Sequence, residues 1–319
     1  LKDIAVVIPL FNKGPHIAET LESVLQQTLA PREIIVIDDG SSDEGPSIVE
    51  SFVARDNRIR LLHRSPPGPG GYAARNFGIE ASTADWIAFL DADDVWHNDH
   101  LQTLSAAIVA AGPDVGCGFS GVKIVEGGKQ RSYAGTLAPI PVGKALALHD
   151  ILQPWLQTGL CPIWTGASAF RRSVLIEAGL FPAGKARRGG DKDMWLRATA
   201  RAKTAFSGKE TAEFRQDTVN RVTRTTRHGA VPIVVTSALE LIKDTQDPSL
   251  KLLKRLINLE LMQYARYSAG AKSHVNPRFF KAYRYDGGLK PFVKMLTFAT
   301  IGATREVMSR IVNRTNARP

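Results

Sequence analysis

Cysteine is nearly absent. Only Cys117 and Cys161 occur in 319 residues, too few for a disulfide framework and too far apart for a metal knuckle, which suits a reducing compartment. Also missing is any run of roughly 18 to 20 apolar residues, so no segment reads as a membrane-spanning helix. Leu1 to Leu10 run straight into a strand pattern rather than a signal peptide. There is no internal repeat and no long low-complexity tract. Acidic residues are in deficit, 31 Asp and Glu against 41 Lys and Arg, and the formal charge of +10 calls for an acidic partner. Zinc-finger, helix-turn-helix and RNA-binding signatures are all lacking. A nucleic-acid reading therefore rests on charge alone and is set aside, and an anionic membrane surface fits better. What remains is an ordinary globular composition, 44% hydrophobic and 23% charged, long enough for one large α/β domain plus an appendage.

The first hundred residues alternate between strand-like and helix-like segments. Strands are expected at Ile4–Ile8, Glu33–Ile37, Arg58–Leu62 and Trp86–Leu90, with helices near Pro15–Gln27, Ser47–Ala54 and Gly71–Ala81. This alternation predicts a mainly parallel sheet flanked by helices, with the loops after the strands sharing one rim. Asn98–Ala111 reads as a further helix and Val115–Val125 as a strand. The pattern loosens between Gly127 and Pro162, where acceptor-binding loops are expected. A strand at Trp164–Arg171 and helices at Ser173–Ala178 and Lys192–Ala200 follow. Beyond about Thr225 the chain reads as helical, at Val231–Thr245, Leu250–Ser268 and Lys290–Val312. Basic residues thicken beyond Lys185, in Lys185–Arg188, Arg221–Arg227 and Lys251–Arg255.

The chemistry concentrates in Asp91-Ala92-Asp93-Asp94, directly after the apolar run Trp86–Leu90. Like charges so close repel, and a hard divalent cation, Mn²⁺ or Mg²⁺, would relieve them. An Asp-rich turn capping the next helix is the structural alternative. Two other rim loops join the cluster. Pro9-Leu10-Phe11-Asn12-Lys13 offers backbone groups and a ring for stacking a flat base, and Asp38–Asp43 offers a carboxylate, with Gly40 for the tight turn. Gly68–Gly78 is a Gly-rich loop feeding a helix, without the order of a P-loop or of a dinucleotide fingerprint. Its Arg75 can face a phosphate or a base.

Together these residues resemble glycosyltransferase family 2, inverting enzymes of the GT-A fold, a Rossmann-like α/β architecture. The resemblance is carried by Val6–Lys13, Ile37–Asp43, Ala74–Gly78 and Phe89–Trp96, in the family's order, and covers roughly residues 3 to 225. It implies that Pro9, Leu10, Phe11, Asp39 and Arg75 bind a nucleotide sugar, with Asp39 on the base, usually of a uridine diphosphate. It further implies that Asp91 and Asp93 form the Asp-x-Asp motif, bound to donor and metal, with Asp94 a further metal ligand by the ambiguous register. Gly189–Arg197 looks like the family's segment opening a helix beneath the acceptor, which makes Asp191 the general base. Asp193 reads instead as a partner of Arg197 four residues on. Trp164, Thr165 and Gly190 are expected at the acceptor. Two departures stand out: Gly190 where the family commonly carries Glu, and Asp217 where many relatives show His.

The resemblance thus implies a GT-A catalytic domain over 1–225, with a nucleotide half at 1–110 and an acceptor half at 111–225, and a helical region over 226–319. The expected reaction moves a sugar from a nucleotide-sugar donor to a glycan or lipid-linked acceptor in bacterial surface polysaccharide synthesis. The expected location is cytoplasmic, at the inner face of the membrane. Residues 290 to 312 mix apolar and basic side chains, which suits a peripheral membrane contact, packing on the catalytic domain, or packing on another subunit in a homo-oligomer. Two other readings are a sugar nucleotidyltransferase, which would need a basic phosphate loop after the first strand, and a catalytically silent nucleotide-sugar-binding protein.

Overall fold

The computed structural model describes residues 1–68, 71–186, 188–219, 230–246, 248–271 and 273–315. Two compact units emerge, Leu1–Val222 and Thr223–Pro319. The boundary expected at 225, the basic stretch Arg221–Arg227, Arg187, and Pro69 and Gly70 of the Gly-rich loop lie outside the described residues.

The first unit opens as β1 (Ile4–Leu10), α1 (Gly14–Leu25), β2 (Glu33–Asp38), α2 (Gly45–Val53), β3 (Ile59–His63), α3 (Tyr72–Ala81) and β4 (Trp86–Phe89). β1 and β2 are apolar almost throughout and buried, as strands covered on both faces must be. α1 starts with Pro15 in its first turn and buries Ile17, Leu21 and Val24 along one stripe. α3 approaches β1 closely at Gly78, where an added Cβ would lie 2.5 Å from Val7 Cγ1. β3, β2, β1 and β4 pair in parallel in that spatial order.

Next come β5 (Val95–Trp96), α4 (His100–Ala111), β6 (Val115–Glu126), β7 (Lys129–Ser132), α5 (Leu148–Thr158), β8 (Ser168–Arg171), α6 (Arg172–Glu177), α7 (Gly190–Thr199) and β9 (Lys203–Arg215). Beyond β4 the sheet continues through β8, β6, β9 and β5. β8 is antiparallel to both β4 and β6, and β6 is parallel to β9. The sheet is therefore parallel where the early rim loops emerge and mixed beyond.

Three expectations are corrected. The loose stretch after Gly127 contains α5, which buries Ile151, Leu152 and Trp155 and has Asp150 Oδ2 accepting the Ala147 N–H at 2.8 Å. The strand expected at Trp164–Arg171 is confined to Ser168–Arg171, because a tight turn at Thr165–Ala167 presents the Gly166 carbonyl to Trp96 Nε1 at 2.6 Å. β9 was not foreseen, because Lys203, Lys209, Glu210 and Glu213 interrupt the apolar residues it buries.

In the second unit α8 (Ile233–Asp244) and α11 (Lys290–Thr315) pack on α9 (Ser249–Gly270), with α10 (Arg278–Ala282) between α9 and α11 in the chain. Leu253, Leu256, Ile257 and Leu261 of α9 and Met295 of α11 are buried. Asn258 exchanges two hydrogen bonds with the backbone of Arg284, at 2.7 and 2.9 Å, and so pins the segment that leads into α11.

A buried polar link ties α4 to β9. His100 stacks on Trp96 with ring centroids 4.3 Å apart, and its Nδ1 lies 2.7 Å from Thr211 Oγ1. Its Nε2 is buried without a partner, and burial pushes its pKa from 6.5 down to about 3. The unfolded chain takes up this proton near 6.5 and the folded chain only near 3, so the stability His100 confers is complete above 6.5 and drains away as pH falls. The ceiling on this loss is roughly 5 kcal/mol. Urea denaturation across the acid limb is expected to show a shallower loss for His100→Gln than for wild type. Equal slopes would show that His100 does not govern acid sensitivity.

Candidate functional site

Because β1, β2 and β4 run parallel, the segments after Leu10, Asp38 and Phe89 leave the sheet at one rim. Hydrogen bonds join the first two. Asn12, held at φ +51°, donates its N–H to Ser41 Oγ at 3.0 Å and accepts the Ser42 N–H at 2.8 Å. A side chain that hydrogen-bonds locally tolerates the left-handed region better than most. Asp43 accepts the N–H groups of Gly14 at 2.7 Å and Gly45 at 3.0 Å, serving the first turns of α1 and α2 together. Gly40 sits at φ +83° beneath Pro67, where a side chain would be strained and crowded.

The donor-side residues occupy this rim in different states. Phe11 is 48% exposed, whereas Leu10 is buried and Pro9 ends within β1. Asp39 is buried, accepts the Gly68 N–H on both oxygens at 3.2 Å, and faces Arg64 Nη1 at 3.2 Å. Burial raises its pKa above the usual carboxylate range despite those partners.

The acidic cluster is divided among three environments. Asp91 pairs with Arg75 and Asp93 with Lys13. Asp93 also accepts from Thr218 Oγ1 at 2.7 Å, and Lys13 Nζ also donates to the Val219 carbonyl. Asp94 faces inward at 2% exposure, and its Oδ1 accepts the Arg215 N–H at 3.0 Å. Its carboxyl titrates well above the normal range because of burial and then of the charges of Asp91 and Asp93. Asp91 and Asp93 therefore face the rim while Asp94 braces β9.

Arg75 connects this cluster to the acceptor side. Its guanidinium is buried, and its Nε has no hydrogen-bond partner. Burial works against its charge, but the facing Asp91 more than offsets this and the pKa is raised. The charge of Asp191, in the first turn of α7, also reaches it. Asp193 is buried two residues on and forms the expected pair with Arg197, whose Nη2 lies 2.7 Å from its Oδ2. Arg197 also donates to the Ala178 and Leu180 carbonyls, which anchors α7.

Of the expected acceptor residues, Trp164 is packed between Tyr133 and Phe214, with ring centroids at 4.9 and 4.6 Å. Thr165 is buried. A Cβ at Gly166 would lie 3.2 Å from Asp94 Oδ2 and 3.7 Å from Trp164 Cδ1, so this turn backs the acidic cluster. Gly190 is buried under Tyr72, whose hydroxyl accepts the Gly190 N–H at 2.9 Å. Asp217 accepts the Gly127 N–H of the β6–β7 hairpin.

Sequence reasoning gave no role to Lys13, Tyr72 or Thr218. Lys13 could have been found as the cation ending the first rim loop opposite three carboxylates. Tyr72 is announced by Gly190 itself, since a glycine in place of a bulky residue needs something to fill the space. Thr218 carries no local signal.

Asp91 and Asp93 supply hard oxygen donors of the kind Mn²⁺ and Mg²⁺ prefer. Among the described residues no group of three or more His, Cys, Asp or Glu gathers as a cage. Two protein carboxylates completed by diphosphate oxygens and water is a usual Mg²⁺ arrangement, so the donor set fits.

Comparison with known proteins bears on the family and the fold. The sequence model described as Glycosyl transferase family 2 matches residues 5–179, more than half of the chain. Glycosyltransferase GlyG of Streptococcus pneumoniae is 37% identical over 112 residues, 35% of this chain and 37% of that protein. Glycosyltransferase YibD of Escherichia coli, described as uncharacterized, is 31% identical over 181 residues, 54% of this chain and 50% of that protein. The chain thus spans between about a third and a half of those two relatives' lengths, 37% and 50%. Among solved structures, TarS 1-349 of S. aureus in complex with UDP-GlcNAc superposes with a TM-score of 0.69 at 17% identity, covering 95% of this chain and 91% of that one. Mannosyltransferase PcManGT from Pyrobaculum calidifontis, in complex with GDP-Man and Mn²⁺, gives 0.54 at 18% identity, covering 96% and 87%. At these identities the likeness establishes the GT-A fold alone.

A Cβ at Gly190 would lie 2.7 Å from Tyr72 Cζ and 2.8 Å from Pro182 Cγ. Gly190→Glu is therefore expected to lower stability by about 2 kcal/mol or more, and adding Tyr72→Ala is expected to restore part of the loss. A denaturant double-mutant cycle checks this; a fully stable single variant would show that Tyr72 does not exclude a side chain there.

Proposed function

The chain belongs to glycosyltransferase family 2, and from that premise we propose that it moves a sugar from a uridine diphosphate sugar to a hydroxyl of a glycan or lipid-linked acceptor with inversion, in surface polysaccharide synthesis. The observation that carries this reading is α3, whose Arg75 pairs with Asp91 of the acidic cluster and whose Tyr72 hydroxyl accepts the Gly190 N–H, one residue before Asp191. That link supports a donor site and a base serving one reaction centre.

In this reading Phe11 stacks on the base, the buried carboxyl of Asp39 hydrogen-bonds its polar edge, and Pro9 and Leu10 shape the pocket floor. Asp91 and Asp93 hold Mn²⁺ or Mg²⁺, and Asp94 keeps β9 in place behind them instead of ligating. The cation, when bound, offsets charge developing on the departing diphosphate. Arg75 and Lys13 add fixed positive charge beside the same oxygens. Asp191 takes the acceptor hydroxyl's proton as that oxygen attacks the anomeric carbon from the face opposite the diphosphate. Gly190 puts no carboxylate directly ahead of Asp191, whose neighbour Asp193 is taken up by Arg197, and Trp164 and Thr165 form the rigid wall behind the acceptor. Cytoplasmic nucleotide sugars would be the donor pool.

Calorimetric titration with nucleoside diphosphates tests the donor. Uridine diphosphate is expected to bind in a Mn²⁺-dependent way, with binding lost in Asp93→Ala and on chelation of the metal. Preference for guanosine diphosphate would move the donor class, and no binding by any nucleotide would sink the reading. Asp191→Asn is expected to keep diphosphate binding while donor turnover, read as hydrolysis or transfer, drops by roughly 10²- to 10⁴-fold. Binding without turnover in the wild type would leave a nucleotide-sugar-binding protein.

A further inference from the structure

The charge of this chain is divided unevenly. Residues 223–319 carry 17 Lys and Arg against 6 Asp and Glu, a net +11, and residues 1–222 carry 24 against 25, a net −1. The chain's entire surplus thus belongs to the smaller, helical unit.

α11 concentrates an apolar surface in that unit. Its inner side packs on α9 and on the aromatic side chains ahead of it: Met295 is buried, Phe292 meets Tyr283 at 5.1 Å between ring centroids, and a Cβ at Gly302 would strike the Ser273 carbonyl at 2.5 Å. The other side is open. Leu289 is 62% exposed, Val293 61% and Leu296 46%, and with exposed Thr300 they follow at steps of four, three and four, one stripe of a helix. Exposed Lys290 and Lys294 lie to one side of this stripe, and Arg305, further round, donates to the Ala269 carbonyl of α9. The carboxylates nearest it in sequence are engaged, Asp286 with Lys254 and Glu306 with His274.

We propose that the outward face of α11 is a docking surface for an anionic lipid bilayer, with the helix lying in the interface plane and Leu289, Val293 and Leu296 entering the headgroup region. An exposed apolar stripe beside cations, on a unit of net +11, suits an interfacial helix, where burial and attraction to acidic headgroups add. A nucleic acid would be met by charge but gives no reason for the aliphatic stripe. A second copy of this chain would bring another +11 unit against the first. No described helix is long and apolar enough to cross a membrane, so the contact is peripheral. The inference goes beyond the transfer reaction and does not rest on it.

The test is co-sedimentation of the full chain with vesicles of phosphatidylglycerol and phosphatidylcholine in equal parts, and with phosphatidylcholine alone. Binding to the mixed vesicles only is expected, weakening with salt. Lys290→Gln with Lys294→Gln is expected to weaken binding roughly thirtyfold. Val293→Gln with Leu296→Gln is also expected to weaken it at unchanged net charge. Both double variants replace exposed side chains, and an unchanged thermal transition confirms that they fold. Equal binding to both vesicle types, no binding to either, or indifference to the Val293 and Leu296 changes would overturn the proposal. So would duplex DNA binding as tightly as lipid, or a dimer in solution that these two changes dissociate. Nucleotide binding by Asp93→Ala plays no part in this readout, so each inference fails separately.

Discussion

Three carboxylates within four residues, at the end of a buried strand, set the terms for the rim of the first unit. At such spacing the charges repel strongly unless cations or hydrogen-bond donors intervene. The chain answers with a different partner for each: Arg75 for Asp91, Lys13 for Asp93, and the Arg215 backbone N–H for Asp94. These partners come from α3, the first rim loop and the end of β9, segments far apart in sequence. Compensating the cluster therefore organises the site, because each partner draws its own segment to the rim. Removing one partner would leave a buried or half-buried charge without compensation, which costs more than the pair itself contributes.

The same logic explains why α3 is central. Its first residue, Tyr72, accepts the Gly190 N–H, and Arg75, one turn later, pairs with Asp91. Tyr72 also stacks on Phe181 at 6.0 Å with nearly parallel rings, in an aromatic group that includes Phe89 and Trp195. One short helix thus fixes the spacing between the acidic cluster and the start of α7. Gly78 allows the opposite end of α3 to press on β1, so the helix is held at both ends. A Glu at position 190 and a Tyr at position 72 compete for one volume, and this chain keeps the Tyr.

The alternating first half was legible because buried parallel strands must be apolar on both faces and their connecting helices must show one apolar stripe. Ile4–Leu10, Glu33–Asp38 and Trp86–Phe89 satisfy that rule, and the rim loops with Asn12, Asp39 and Asp91 follow them directly. Legibility failed where burial and pattern part company. β9 carries charges on alternate and irregular positions because bulges shift its register against β6. α5 contains Pro154 yet holds, since its buried Ile151, Leu152 and Trp155 outweigh the break. Within the site, the pairing of Asp193 with Arg197 followed from helical spacing alone. The inward turn of Asp94 and the reach of Thr218 to Asp93 depend on β9, and no local pattern announces them.

The partition of charge bears on how such a chain can work. A first unit with net charge near zero, made of 24 cations and 25 anions, exerts little long-range pull on a dianionic donor. In the proposed reading, capture there would fall to short-range groups, namely Lys13, Arg75 and a cation on the carboxylates. The second unit, at net +11, exerts the long-range pull, and its exposed aliphatic stripe limits which anionic surfaces satisfy it. Had the surplus been spread evenly, attraction to a charged surface and attraction of the donor would compete for the same basic residues. Under the two proposals, separating them would let the rim serve a diphosphate while the helical unit met a much larger acidic surface.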